Sequence, residues 1–297
     1  MRIARLRTET ETVHAAAHPD GSFTALAGGL FGKPVDTGRP VEGETLAPLV
    51  PPTIYCIGLN YRAHAEETGK RVTEFPVVFL KSPTAVVGPD RPIRLPPSGI
   101  SETVDYEAEL AVVIADTCKN VRREDALSHV LGYACANDVS ARNWQTARGG
   151  GQFCRAKTFD TFCPLGPVLA TADEIGDPNA LRIGARLNGD TMQNSTTADM
   201  IFDVAALIEF LSRETTLAAG TAILTGTPPG VGVARQPPVY LSDGDTIEIE
   251  IEGIGVLRNP VEGTERGQTQ NPKIRGRSPK GIRFSPSSPS DMGNRIS

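Results

Sequence analysis

The stretch Asp105-Tyr-Glu107-Ala-Glu109 runs straight into Leu110–Ala115, six consecutive apolar residues. Such a run reads as a strand buried in the interior. Alternate side chains of a strand share a face. Asp105, Glu107 and Glu109 are therefore expected to project together, with Ala108, Leu110 and Val112 on the other side. Three like charges on one face repel, and burial makes the repulsion worse. Two arrangements relieve it. The face is open to solvent, where screening makes the cluster cheap, or it is buried and a cation neutralises it. The apolar continuation argues for an interior strand, and an all-oxygen donor set suits Mg²⁺ or Mn²⁺ better than zinc.

The rest of the chain frames that strand. Its 297 residues suit one large domain or two, and its 30 Gly and 24 Pro imply many turns and short strands rather than a helix bundle. No apolar run approaches the ~20 residues that span a bilayer, so no membrane partner is expected. The N-terminal residues carry no apolar signal core, and a cytoplasmic location is expected. Five cysteines, an odd number with no C-x-x-C pair, read as reduced thiols. The net charge is −5, and residues 262–297 hold seven Lys/Arg against three Asp/Glu, or +4, which leaves −9 in the rest. An acidic body argues against nucleic acid as a partner.

Three segments are expected. Residues 1–51 read as a small N-terminal β module of short strands and turns. In it His14 and His18 lie at i, i+4, but the surrounding HAAAHPDGS favours exposed polar positions over a metal pair. Residues 52–261 carry the dense signals. Strands are expected at Ile54–Leu59, Val77–Leu80, Tyr106–Ala115, Thr221–Leu224 and Thr246–Ile251. A hairpin turns at Asn188-Gly189. Helices are expected at Tyr61–Gly69, closed by Gly69, at Glu124–Cys135 with Ala126, Leu127, Val130 and Leu131 on one face, and at Ile201–Leu211. Residues 262–297, rich in Ser, Pro and Arg, are expected to form a disordered tail.

Asp138 follows the expected helix 124–135. A short helix starting there would put Asp138, Arg142 and Gln145 on one side; Asp138 would equally serve as its N-cap. His64 and Glu67 stand at i, i+3, which is also the spacing of an ordinary surface pair, and Glu66 is nearby. Gly226–Gly232 (GTPPGVG) lacks the Lys-Ser/Thr of a phosphate loop, and its prolines remove two amide donors. Cys154 has no partner base in view, which argues against a nucleophile.

Four motifs occur in order: Tyr106–Val113 (YEAELAVV), Asn137–Gln145 (NDVSARNWQ), Ala156–Asp160 (AKTFD) with Cys163-Pro164-Leu-Gly after it, and Thr225–Gly232 (TGTPPGVG). Together they resemble the catalytic domain of the fumarylacetoacetate hydrolase family over roughly residues 52–261. The resemblance implies a strand-rich α+β fold, a mixed β-sandwich roll with few helices, often as a homodimer. It implies that Glu107, Glu109 and Asp138 hold one divalent metal, Mg²⁺ or Mn²⁺, with Asp105 behind them. It implies that His64 and Glu67 form a dyad that activates water, and that Lys157 faces the substrate or a developing oxyanion. Arg142, Gln145 and Thr227 match positions that hold substrate oxygens. The substrate class is a small 2-oxo acid. The activity expected first is metal-dependent C–C hydrolysis of a 2,4-dioxo acid through an enolate. The alternatives are 2-hydroxyhepta-2,4-diene-1,7-dioate isomerisation, oxaloacetate-type decarboxylation, and 2-oxo acid binding without turnover.

Overall fold

The computed structural model describes residues 1–146 and 148–263. The tail expected from residue 262 onward lies almost entirely outside them. Among the described residues no helix is long and apolar enough to cross a membrane, and all five cysteines are free.

Strands dominate, as the Gly and Pro content implies. The largest sheet runs, in spatial order, Val35–Pro40, Phe23–Ala27, Thr12–Ala17, Arg2–Arg7, Cys163–Thr171, Val130–Asn137, Ala108–Ile114, Ala222–Leu224, Ile54–Gly58 and Val77–Lys81. Its pairings along that order are antiparallel except Ala222–Leu224 against Ile54–Gly58. A second sheet runs Asp190–Thr196, Arg182–Leu187, Thr246–Ile251, Gly255–Glu262 and Ile93–Arg94. Asn188 and Gly189 have φ of 54° and 89°, the left-handed pair that a two-residue hairpin needs.

Ala108–Ile114 is buried along its whole length, with a hydrogen-bonded strand on each side. The period of two splits its side chains between two cores. Leu110, Val112 and Ile114 pack with Ile183, Ile247 and Leu257 of the second sheet. Ala111 and Val113 pack with Ile54, Ala136 and Leu165 on the other face. Burying both faces of one strand explains its unbroken apolar sequence.

The N-terminal strands belong to the same large sheet, because Arg2 and Ile3 pair with Ala170 and Leu169. His14 lies in a strand, not a helix; its Nε2 sits 3.1 Å from the Pro48 carbonyl. Burial lowers its pKa. It is therefore a partly buried sheet residue rather than an exposed one. The helix expected over Glu124–Cys135 is also corrected. Arg123–His129 forms a 3-10 turn, and Val130–Asn137 is a central strand. Backbone pairing on both of its sides outweighs its helix-like spacing.

Candidate active site

Glu107 and Glu109 stand two residues apart at the entrance of the central strand, so they share its Ala111 face. The antiparallel ladder that pairs Ala108 with Asn137 runs one bond further, from the Asp138 amide to the Glu107 carbonyl at 2.9 Å. Pairing of the two strands thus brings Asp138 beside Glu107. One oxygen of each of the three carboxylates lies within 4.8 Å of the others, and all three residues are buried. Among the described residues no other such group of three appears.

Asp105 does not continue that row. The chain changes sheets between it and Glu107, since Val104–Asp105 pairs with Ser140–Ala141 in a separate ribbon. Its Oδ1 accepts the Gly232 amide at 2.8 Å, and its Oδ2 accepts the Val233 amide and Arg142 Nε, each at 2.9 Å. Asp138 does not cap the short helix Arg142–Gln145 either. Ala141 holds that position after the intervening strand. The Asp138 carboxylate turns inward to two ammonium groups.

Cations surround two of the three carboxylates. Lys157 Nζ lies 2.6 Å from both Glu107 Oε2 and Asp138 Oδ2. Lys81 Nζ lies 2.5 Å from Asp138 Oδ1, and Arg142 Nη1 lies 2.6 Å from Glu107 Oε1. Burial alone would raise the Glu107 pKa, but Lys157 and Arg142 outweigh it and hold the carboxyl well below the usual range. Glu109 differs. It has no ion pair among the described residues, and its Oε2 accepts only the Gly226 amide, at 2.8 Å. Burial, then repulsion from Asp138 and Glu107, pushes its carboxyl well above the usual range. A buried carboxylate without a counter-charge, facing two others, is a donor set that a hard divalent cation completes.

Lys81 was not singled out from sequence. A lysine closing a strand before Ser-Pro-Thr reads as a turn, and only the fold shows both it and Asp138 fully buried. Gln193 escaped notice in the same way. Its Nε2 donates to Thr227 Oγ1 and to the Pro228 carbonyl, each at 2.8 Å, and its Oε1 accepts the Ala108 amide at 2.9 Å. It ties the loop 226–230 to the strand that carries Glu109.

A cavity of about 140 Å³ opens over the cluster. His64, Glu107, Glu109, Arg142, Gln145, Lys157 and Thr227 all contribute to its wall, with Ile57, Val77, Phe79 and Phe153 as the apolar part. His64 sits on the helix Arg62–Glu67. Its Nδ1 lies 3.0 Å from Glu67 Oε2, and Glu67 Oε1 accepts the Gly230 amide at 2.8 Å. A carboxylate only accepts, so Nδ1 carries the hydrogen, and in the neutral ring it is Nε2 that keeps a lone pair. Arg142 also donates to Gln145 Oε1 at 2.9 Å. Its guanidinium therefore spans Asp105, Glu107 and Gln145, which orders the wall of the cavity. The arrangement sets a hydrogen-bonded His–Glu pair and an anionic cluster beside one small chamber.

Known proteins share this arrangement of sequence and fold. Residues 53–262 match the family model described as fumarylacetoacetate (FAA) hydrolase C-terminal. The mitochondrial oxaloacetate tautomerase fahd2 of Xenopus laevis is 51% identical over 217 residues, covering 73% of this chain and 67% of that protein. The 2-hydroxyhepta-2,4-diene-1,7-dioate isomerase of Mycobacterium marinum is 39% identical with a TM-score of 0.77, over 89% of this chain and 99% of that one. The fumarylacetoacetate hydrolase of Exiguobacterium antarcticum is 36% identical with a TM-score of 0.80, over 89% of this chain and 100% of that one. With the family model covering most of its length and the fold matching throughout that span, the chain belongs to the fumarylacetoacetate hydrolase family.

Proposed function

We propose that this chain is an enzyme that moves a proton within a small 2-oxo acid, a keto–enol tautomerase acting on oxaloacetate or a close analogue. One observation carries the reading: His64, paired with Glu67, opens into the same chamber as Glu107 and Glu109 of the carboxylate cluster. When held by Glu107, Glu109 and Asp138, Mg²⁺ or Mn²⁺ supplies a Lewis acid for the oxygens of the 2-oxo acid head.

The protein groups supply the rest. His64 Nε2 takes the proton from the carbon next to the keto group, and the imidazolium returns it to the oxygen. The reverse order restores the ketone, so no atom is gained or lost. Glu67 holds the imidazole in the required tautomer and stabilises it when charged. The Lys157 ammonium, fixed by Glu107 and Asp138, adds positive charge to the chamber wall where oxygen gains negative charge. Gln145 and Thr227 offer hydrogen bonds to the substrate from the same wall. A chamber of about 140 Å³ lies below the roughly 300–1,000 Å³ of sites for drug-sized ligands, which suits a short acid. The relative named oxaloacetate tautomerase supports the same substrate size.

Hydrolysis of a 2,4-dioxo acid is the second reading, favoured by the likeness to a fumarylacetoacetate hydrolase. There the same Nε2 would deprotonate water. The test follows decay of the oxaloacetate enol band beside release of acetate from acetylpyruvate, each with Mg²⁺, Mn²⁺ or EDTA. Cation-dependent enol decay without acetate release supports the tautomerase. Acetate release at a comparable rate selects the hydrolase, and no acceleration of either sinks both.

A further inference from the structure

The cationic groups of the chamber are not equivalent. Lys157 is committed to Glu107 and Asp138, Arg142 to Asp105 and Glu107, and His64 to Glu67. Lys70 also contributes to the chamber wall, yet it is exposed and has no ion pair or side-chain hydrogen bond among the described residues. It is the one positive charge there left for a ligand.

Its place is set by the backbone. The helix that carries His64 ends at Glu67, and Gly69 adopts φ +62°. The Gly69 amide bonds the Glu66 carbonyl at 3.1 Å, and the Lys70 amide bonds the Ala65 carbonyl at 3.0 Å. That pair of bonds is the Schellman closure, which turns the chain sharply and needs a residue tolerant of left-handed φ. Lys70 is the residue just past the turn, so it leaves the helix end in a fixed direction, toward the chamber. Glu107 and Glu109 are buried parts of the chamber wall, and Lys70 is an exposed part of it.

Resting on the tautomerase reading, we propose that Lys70 binds the distal carboxylate of the substrate and so selects 2-oxo dicarboxylates over 2-oxo monocarboxylates. The head of the substrate is the same in both classes; only the far end differs in charge. An unpaired ammonium at the mouth attracts that end without having to leave another partner. As the contact is exposed, its effect weakens with added salt.

The experiment compares enol–keto conversion of oxaloacetate with that of acetylpyruvate, which carries the same head and an uncharged methyl ketone. Lys70→Met should lower kcat/KM for oxaloacetate about tenfold, the scale of one hydrogen bond to a charged group, mainly through KM. It should leave acetylpyruvate unchanged. Lys70→Arg, keeping the charge, should stay within about threefold of wild type on both. The wild-type preference for oxaloacetate should shrink between low and high salt while that of Lys70→Met stays flat. Equal loss on both substrates, or no loss on either, overturns the inference while leaving the tautomerase reading intact. Failure of the wild type to convert either acid removes both.

Discussion

Glu109 is the residue on which the proposed cation site turns. In the folded chain its carboxyl keeps a proton above the ordinary 4.5, because burial comes first and the charges of Asp138 and Glu107 add to it. The folded state then binds the extra proton, and that contribution to stability is complete below pH 4.5 and lost as pH rises through the folded value. Glu107 acts in the opposite sense. Held low by Lys157 and Arg142 against its burial, it contributes stability above pH 4.5 that disappears as pH falls. Two outcomes are expected at pH 7. Without cation, Glu109→Gln should melt about 2–4 °C above wild type, the equivalent of roughly 1 kcal/mol in a chain of this size. With Mn²⁺, the wild type should gain thermal stability and Glu109→Gln should not. Thermal melts with and without EDTA check both. At this scale the sequence shows the Glu107/Glu109 pair, because spacing in a strand is local. It shows Asp138 only through a motif, and Lys81 not at all, since what makes those two partners is a fold that brings residues 57 positions apart together.

Among the elements, the ribbon of Val104–Asp105 and Ser140–Ala141 has the greatest influence on the site. Its Asp105 carboxylate holds the amides of Gly232 and Val233 as well as Arg142. Asp105→Ala leaves a buried guanidinium and three amides, those of Tyr106, Gly232 and Val233, short of a partner, and about 3–5 kcal/mol of stability should be lost. Urea unfolding measures it; a loss under 1 kcal/mol would show that water or Glu107 compensates. Gly226→Ala is expected to act through the backbone. Its φ is +94°, and an added Cβ would lie 2.7 Å from Asn60 Cβ, so the amide that meets Glu109 would shift. Weaker Mn²⁺ binding in that variant, read by titration, is the expected result. Elements with local signals were legible: Thr246–Ile251 alternates as expected, and the Asn188-Gly189 hairpin follows from its turn residues. Val130–Asn137 was not. It is buried on both faces, so it lacks alternation, and its Gly132 exists for close backbone approach, an added Cβ there lying 2.3 Å from the Ala170 carbonyl oxygen. That requirement belongs to the neighbouring strand and leaves no periodic trace.

For the molecule as a whole, the matched family region begins at residue 53, but the sheet does not. Ile3, Ala4 and Leu6 are fully buried, and Arg2–Arg7 covers the edge of Cys163–Thr171. A chain beginning at residue 53 should therefore expose that edge and aggregate or lose its cooperative melt; a sharp, monomeric melt would show that the remaining strands suffice. The strand-rich class was legible from Gly, Pro and the alternating segments. How the N-terminal strands join the large sheet was not, because strand order is fixed by partners far apart in sequence.

We propose a division of roles in which His64 Nε2 moves the proton while the carboxylate cluster holds the cation. It is tested most directly by measuring cation-dependent decay of the oxaloacetate enol in His64→Gln, with Mn²⁺ affinity titrated on the same sample. The expected result is a loss of about 10²–10⁴-fold in kcat with Mn²⁺ affinity unchanged. Full activity in that variant, with the cation bound, would contradict it.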